Sequence, residues 1–257
     1  METTKQSYSD TFTIAWRCLL LSCRNPETFL TSILLPALMM LLFVSLFGSL
    51  IRVGGTSYTA YIVPGVLIQC AAQGSSTTAI MVNQDITSGI LSRFSTLPIR
   101  QGALLYGHVL EACARNLVTS AVVLVIALLL GFRPALTLTG LGITFLLLSG
   151  MILALSWLAV AVGILSKSAQ GASSLSSLAI VLPYLSSGFV PTEHLPPLLR
   201  TFARYQPMTP VIDAMRDALS GSPADAGTLG AALLWCALLT AVFCAASVLF
   251  LKRRLLG

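Results

Sequence analysis

Long apolar stretches alternate with short polar breaks along the whole chain. A helix that crosses a membrane needs about 20 mostly apolar residues. Six stretches meet this requirement: 28–51, 58–83, 103–131, 139–165, 169–190 and 228–251. The fifth is the most polar because it contains SSLSSL, and small hydroxyl residues favour contact with neighbouring helices. The pattern predicts an all-α integral membrane protein with six transmembrane helices in a single domain, residues 1–257.

The segment before the first apolar stretch, YSDTFTIAWRCLLLSCRNPE, is too short to span a membrane. It has capping residues near its start and an Asn-Pro step at its end. We predict that residues 1–27 form a helix lying along the cytoplasmic interface. Its interfacial character rests on Trp16, Arg17, Arg24 and Pro26. The alternative is an inner extension of the first transmembrane helix.

Residues 191–227, between the last two apolar stretches, are rich in proline and carry two amphipathic patterns. LPPLLRTFARY and TPVIDAMRDAL each place apolar residues on one face at helical spacing. We predict two short helices that re-enter the outer membrane interface, and a loosely ordered loop is the alternative. The residues that mark this region are Gly188, Pro191, Pro196, Pro207, Pro210 and Arg216. Residues 228–257 then form the sixth span and a basic tail.

The break between the second and third stretches, QDITSGILSRFSTLPIR, is polar but patterned. Gly89 allows the chain to turn, residues 90–97 have a helical apolar face, and a Leu-Pro step ends the helix. This coupling segment, residues 84–100, is therefore predicted to contain a short helix, with an ordinary solvated loop as the alternative. Its candidate residues are Asp85, Gly89, Leu91, Arg93, Phe94, Leu97 and Pro98.

The distribution of basic residues predicts the orientation. With six spans, nine of them lie on the side of the N-terminus and five on the other. Because cytoplasmic loops are enriched in Lys and Arg, both termini and the coupling segment are predicted to be cytoplasmic, in a multi-pass protein of the plasma membrane. The net charge of +6 comes without a nucleic-acid recognition pattern, so no nucleic-acid partner is expected.

Patterns for catalysis are missing from the sequence. The nucleotide-binding pattern G-x-x-x-x-G-K-[ST] does not occur, and no histidine or acidic motif suggests a metal site. The six cysteines mostly lie in apolar segments, where cysteine acts as a small apolar residue. We expect a transport protein that binds no cofactor or metal and is not an enzyme. An intramembrane enzyme is a further alternative, but it would need a nucleophile–base pair, and the sequence shows none.

One group of ionisable residues, His108, Glu111 and Arg115, lies inside a predicted span. Such residues are costly in a membrane and are candidates for function. Glu111 and Arg115 have the i, i+4 spacing of an ion pair. The pair either neutralises itself, lines a pathway or braces the cytoplasmic loop. No other span carries an acid that could relay ions, so we expect a transporter that uses an outside energy source. The alternative is a secondary transporter or channel driven by an ion gradient.

Several segments resemble the permease subunit of ABC type-2 exporters, and the resemblance covers nearly the whole chain. They are RNPETFLTSILLPALMMLLFVSLFG, YIVPGVLIQ, DITSGILSRFSTLPIRQGALLYGHVLEACARN and YLSSGFVPTEHLPPLLRTFARYQPMTPVIDAMRDAL. The last is the most specific, because its Gly-Phe-x-Pro, Leu-Pro and Pro-x-Thr-Pro steps arrive in order. SRFSTLPI resembles the daunorubicin/doxorubicin-resistance subgroup. Asp85 departs from the family, which more often has glutamate within a charged run.

The resemblance implies a permease that pairs with a second copy or a paralogue above a dimer of cytoplasmic ABC ATPase subunits. ATP and Mg²⁺ would be used by those subunits. The coupling segment and the interfacial helix would receive the ATPase motion, and cargo would move outward. The cargo class that the resemblance implies includes amphipathic drugs, lipids and glycolipids. Membrane lipids are the remaining expected partner.

Overall fold

A computed structural model of the chain describes residues 2–24, 26–48, 57–89, 101–135, 137–194, 196–222 and 225–256. These ranges are helical and contain no strand. The helices are α1 (Glu2–Arg24), α2 (Pro26–Phe47), α3 (Tyr58–Thr87), α4 (Gln101–Leu129), α5 (Leu138–Leu165), α6 (Ala169–Val181), α7 (Pro197–Tyr205), α8 (Met208–Ser220) and α9 (Ala226–Leu256). Short 3₁₀ turns at Leu182–Leu185 and Thr192–His194 connect α6 to α7.

Four of the described helices are long and apolar enough to cross a membrane. Their apolar windows are Leu30–Phe47, Gly102–Leu129, Leu138–Leu165 and Ala226–Arg254. They coincide with the first, third, fourth and sixth predicted spans, so the all-helical, multi-pass character of the chain is confirmed. The other two predicted spans coincide with α3, which is more polar, and with α6, which has only 13 residues.

Helix α3 lies at the centre of the bundle, in contact with α2, α4, α5, α6 and α8. Because these neighbours shield it from lipid, it can carry polar residues that a lipid-facing helix could not. Asn83 is one: its side-chain nitrogen donates to the carbonyl oxygens of Gly163 (3.1 Å) and Ser166 (2.7 Å) at the end of α5. With 30 residues, α3 is about 45 Å long.

Helix α1 packs along α4 as a separate amphipathic helix. Ile14 and Cys18 are buried on one face, and Phe12 and Trp16 are exposed on the other. The chain then restarts as α2, with Pro26 as its first residue, a position where the missing N–H of proline costs nothing. The exposed apolar face is the one expected of a helix lying at a membrane interface.

The two short helices predicted after the fifth stretch are present as α7 and α8. The predicted apolar face of α8 is buried, with Val211, Ile212 and Met215 fully enclosed. It packs on α3, α5 and α9, so protein covers this face. Arg216 fastens α8 to α3: its guanidinium lies 3.9 Å from the centre of the Tyr61 ring and pairs with Asp213.

The α8 end of α3 also touches the chain that follows α6. The hydroxyl of Tyr58 donates to the carbonyl oxygen of Phe189 (3.0 Å), and that of Tyr61 donates to the carbonyl oxygen of Ser187 (2.8 Å). Next to these bonds, the backbones of Gly65 and Gly188 are in direct contact. A Cβ atom on Gly65 would lie 2.6 Å from the carbonyl oxygen of Gly188.

Substitution of Gly65 by alanine should therefore destabilise the protein by about 1–3 kcal/mol, the usual cost of overpacking. Gly142 of α5 is the matched control, because a Cβ atom there meets nothing within 4 Å. Gly142→Ala should be neutral or stabilising by under about 1 kcal/mol. Thermal unfolding of the two purified variants in detergent measures the difference. Equal unfolding midpoints would contradict the tight Gly65–Gly188 contact.

Candidate functional site

The coupling segment begins where α3 ends. The backbone N–H of Ser88 donates to the carbonyl oxygen of Gln84 (2.9 Å), and Gly89 follows with φ of 75°. This left-handed conformation favours glycine, so the predicted turn at Gly89 is present. The remaining predicted coupling residues, Leu91, Arg93, Phe94, Leu97 and Pro98, lie outside the described residues.

Asp85, in the last turn of α3, forms a two-point ion pair with Arg17 of α1. The two guanidinium nitrogens of Arg17 lie 3.1 and 3.3 Å from the two carboxylate oxygens. The hydrogen bonds that the Arg17 guanidinium donates to Asp85 raise the pKa of Arg17 above its usual value. Asp85 stands nearly alone in the sequence, but in the fold it has a cationic partner from another helix. The interfacial helix is thus tied to the start of the coupling segment.

His108 of α4 joins the same group from the buried side. Its Nε2 atom lies 3.1 Å from Asp85 Oδ2, and its Nδ1 atom lies 3.7 Å from the sulfur of Cys18. The order Cys18–His108–Asp85 is that of a nucleophile, a base and an acid. However, Cys18 is 0% exposed, so a substrate has no access to its sulfur. We interpret the arrangement as a structural connection between α1, α3 and α4.

The same residues also form a candidate metal-binding group. One ligand atom from each of Cys18, Asp85 and His108 lies within 4.8 Å of the others. The carboxylate of Asp85 already accepts hydrogen bonds from the Arg17 guanidinium, and one of its oxygens is also shared with His108. A cation bound there would face the positive charge of Arg17. The ion pair therefore accounts for these side chains better than a metal ion does.

Glu111 and Arg115 form the predicted i, i+4 ion pair about one turn further along α4. Arg115 Nε lies 2.9 Å from Glu111 Oε1, and both side chains are buried. Ser22 of α1 donates to the same carboxylate oxygen (2.5 Å). On α3, Thr78 accepts a hydrogen bond from the Arg115 guanidinium (2.8 Å) and Gly74 accepts another through its carbonyl oxygen (3.1 Å). The pair neutralises itself and also braces α1 against α3.

These contacts tie α1 to the end of α3 through Asp85 and, further along the bundle, to α3 and α4 through Glu111 and Arg115. A family model for ABC-2 type transporters matches residues 9–220, which is most of the chain. The chain belongs to the ABC-2 type transporter family. The family resemblance seen in the sequence is therefore confirmed, and membership implies a transporter that works with an ATPase partner.

Relatives of this ABC-2 permease include two named for drug resistance. It is 30% identical over 236 residues to the daunorubicin resistance ABC transporter permease protein DrrB1 of Streptomyces coeruleorubidus, covering 91% of this chain and 83% of that protein. It is 29% identical over 231 residues to the probable doxorubicin resistance ABC transporter permease protein DrrC of Mycobacterium tuberculosis, covering 83% of this chain and 78% of that one. Both similarities support the daunorubicin/doxorubicin-resistance subgroup.

The structure of the ABC-2 permease separates residues that the sequence placed together. His108 contacts Asp85, whereas Glu111 and Arg115 form their own network. Trp16 and Arg24 are exposed on α1. Sequence reasoning missed the buried partners Cys18 and Ser22, because nothing in a single chain pairs them with α4. Gly74 and Thr78, four residues apart on α3, were a detectable signal of close helix packing.

The outer residues predicted for the ABC-2 permease fall at the ends of short elements. Pro196 and Pro207 precede α7 and α8 as their N-terminal flanking residues. Gly188 makes the backbone contact with α3, and Arg216 bonds the carbonyl oxygens of Tyr61 (3.2 Å) and Ser187 (2.7 Å). Pro191 lies just before the 3₁₀ turn at Thr192–His194, and Pro210 lies in the first turn of α8.

Proposed function

We propose that this chain is the permease subunit of an ATP-driven exporter that moves an amphipathic drug, lipid or glycolipid outward. The observation that carries the proposal is the contact of Arg17 and His108 with Asp85, because it links an interfacial helix to the start of a cytoplasmic loop. The printed names of the daunorubicin and doxorubicin resistance relatives support the cargo class.

The proposed topology has six spans and places both termini in the cytoplasm. The spans are α2, α3, α4, α5, α6 with its following 3₁₀ turn, and α9. In this arrangement α7 and α8 form a re-entrant region at the outer face of the plasma membrane. The basic end of α9, with Arg253 and Arg254 in its last turn, agrees with a cytoplasmic C-terminus.

In the proposed mechanism, residues 84–100 dock on a separate ATPase subunit. ATP and Mg²⁺ are held by that subunit, and this chain contributes neither a nucleotide site nor a catalytic residue. Movement of the docked segment pulls on Asp85, and Asp85 transmits the pull to α1 through Arg17 and to α4 through His108. A second copy of the chain or a paralogue completes the transport pathway.

An ion-gradient-driven transporter or channel is the alternative function. The buried acids would be its natural proton carriers. Asp85 and Glu111, however, are each held in an ion pair by an arginine. A relay group must release and regain a proton during each cycle, so ion pairing argues against this alternative. Export that requires ATP and survives collapse of the proton gradient would exclude it.

Mutations in the coupling segment test the proposed docking. Gly89→Pro cannot adopt the observed φ of 75°, and Arg93→Glu reverses a charge in the segment. Both variants, co-purified with the ATPase in liposomes, should hydrolyse ATP but lose most export, because ATPase movement no longer reaches α3. The measurement is the amount of drug exported per ATP hydrolysed.

Two matched variants control for general damage. Gly131 also has a positive φ, 94°, but lies between α4 and α5 at the opposite end of α4. Gly131→Pro introduces the same backbone conflict away from the docking segment, and Arg200→Glu reverses an exposed charge on α7. Both control variants should export as much drug per ATP hydrolysed as the wild type does. Wild-type export by Gly89→Pro and Arg93→Glu would overturn the docking assignment.

A further inference from the structure

An apolar cavity of about 340 Å³ opens between α4 and α5, near the end of the bundle that carries α8. This size is at the lower end of the range for ligand sites. Six of its lining residues are Leu67, Leu124, Leu148, Phe145, Ser120 and Thr144. Phe145 also lines the cavity and is 62% exposed on α5, a helix apolar enough to cross a membrane. The cavity is therefore open to the hydrocarbon chains of the bilayer.

One hydroxyl group beside this cavity, that of Thr144, has no hydrogen-bond partner among the described residues. Thr144 is buried and its side-chain oxygen is not bonded, whereas the Ser120 hydroxyl has Cys70 as a partner. Unsatisfied buried hydroxyls are costly. Because Thr144 lines the cavity, an ester carbonyl of an occupant is a suitable acceptor for its hydroxyl. An occupant with an apolar chain and an ester group suits such a site.

A second, polar pocket of about 140 Å³ adjoins the cavity, and Leu219 of α8 lines both. Its charged lining residues are Arg133 and Arg216. Arg216 is paired with Asp213. Arg133 is exposed and bonds weakly to the carbonyl oxygen of Leu128, at 3.5 Å, and no described carboxylate pairs with it. Asp217 of α8 follows Asp213 by one turn and does not line the pocket.

We propose that the cavity and the polar pocket together bind one anionic glycerophospholipid from the leaflet on the α8 side. One acyl chain fills the cavity between α4 and α5, an ester carbonyl lies near Thr144, and the phosphate lies at Arg133. The positive pocket lies beside the apolar cavity, with Leu219 lining both. This arrangement complements a lipid whose negative headgroup is followed by an acyl chain. The proposal depends neither on an ATPase partner nor on the direction of transport.

Native mass spectrometry of the delipidated full-length protein tests the proposal, with phosphatidylglycerol and phosphatidylcholine added in turn. The wild type should bind phosphatidylglycerol about fivefold more tightly, the effect of one basic residue near an anionic headgroup. Arg133→Gln should weaken phosphatidylglycerol binding more than phosphatidylcholine binding and so remove this preference. Thr144→Leu, which fills part of the cavity, should weaken binding of both lipids.

Two control substitutions sit outside the proposed site. Thr139→Leu makes the same change at an exposed position of α5, and Arg200→Gln makes the same change at an exposed arginine of α7. Both should bind lipid as the wild type does. Equal wild-type binding of the two lipids overturns the headgroup assignment, as does an unchanged preference in Arg133→Gln. Unchanged binding in Thr144→Leu overturns the acyl-chain assignment.

Discussion

Replacement of Arg115 by methionine should destabilise the permease by about 3–5 kcal/mol, the cost of breaking a buried ion pair. Methionine keeps much of the volume of the arginine but leaves Glu111 without its cation, and Glu111 is fully enclosed. Thr78 and the carbonyl of Gly74 also lose a donor. The measurement is thermal unfolding in detergent, followed by tryptophan fluorescence.

The double variant Glu111→Gln/Arg115→Met distinguishes the cost of an unpaired buried charge from the cost of altered packing. With no charge left behind, most of the stability should return, because replacing both partners of a buried pair is often neutral. Arg253→Met, at an exposed arginine of α9, should change the free energy of unfolding by less than about 0.5 kcal/mol. If the double variant is no more stable than Arg115→Met, the unpaired charge of Glu111 is not the cause of the lost stability.

Substitution of Arg17 by glutamine should leave the protein folded but should uncouple export from ATP hydrolysis. The Arg17 side chain is 37% exposed, and partly exposed ion pairs contribute at most about 1 kcal/mol to stability. Export per ATP hydrolysed, in contrast, should fall on the order of tenfold, because the two-point contact that passes the movement from Asp85 to α1 is lost. The measurement uses the permease and its ATPase in liposomes.

Arg24→Gln is the matched control, since Arg24 lies on the same helix and is exposed. It should retain wild-type coupling. A parallel fall of ATP hydrolysis and export in Arg17→Gln would indicate a damaged complex and would contradict a specific role in coupling. Wild-type export by Arg17→Gln would show that the contact with Asp85 does not transmit force.

The helices could be predicted from the sequence because length and apolar pattern determine them locally. The Gly89 turn and the Glu111–Arg115 pair are also local, and both are present. The contact between His108 and Asp85 could not be predicted, because it depends on how α3 and α4 pack. The pairing of Ser22 with Glu111 spans 89 positions and depends on the placement of α1.

The pattern of α8 shows a different limit. Its apolar face was predicted from the spacing of Val211, Ile212 and Met215, and the face exists. Spacing cannot show whether an apolar face meets lipid or protein, because both are equally apolar surfaces. In the fold this face packs on α3, α5 and α9. The polar residues of α3 were the clearer signal, since Asn83 indicates a helix surrounded by protein.

Helix α3 is fastened to other elements at both ends. Tyr58 and Tyr61 anchor one end to the chain after α6, and Asp85 anchors the other to α1 and α4. The helix has one interior proline, Pro64, near its Tyr58 end, and it runs from there to Thr87 as a continuous helix that resists bending. Displacement of its Asp85 end must therefore either tilt the helix or shift its far end along the axis. In the proposed mechanism, mechanical work done at Asp85 would therefore be delivered at Tyr58, about 40 Å away along the helix axis.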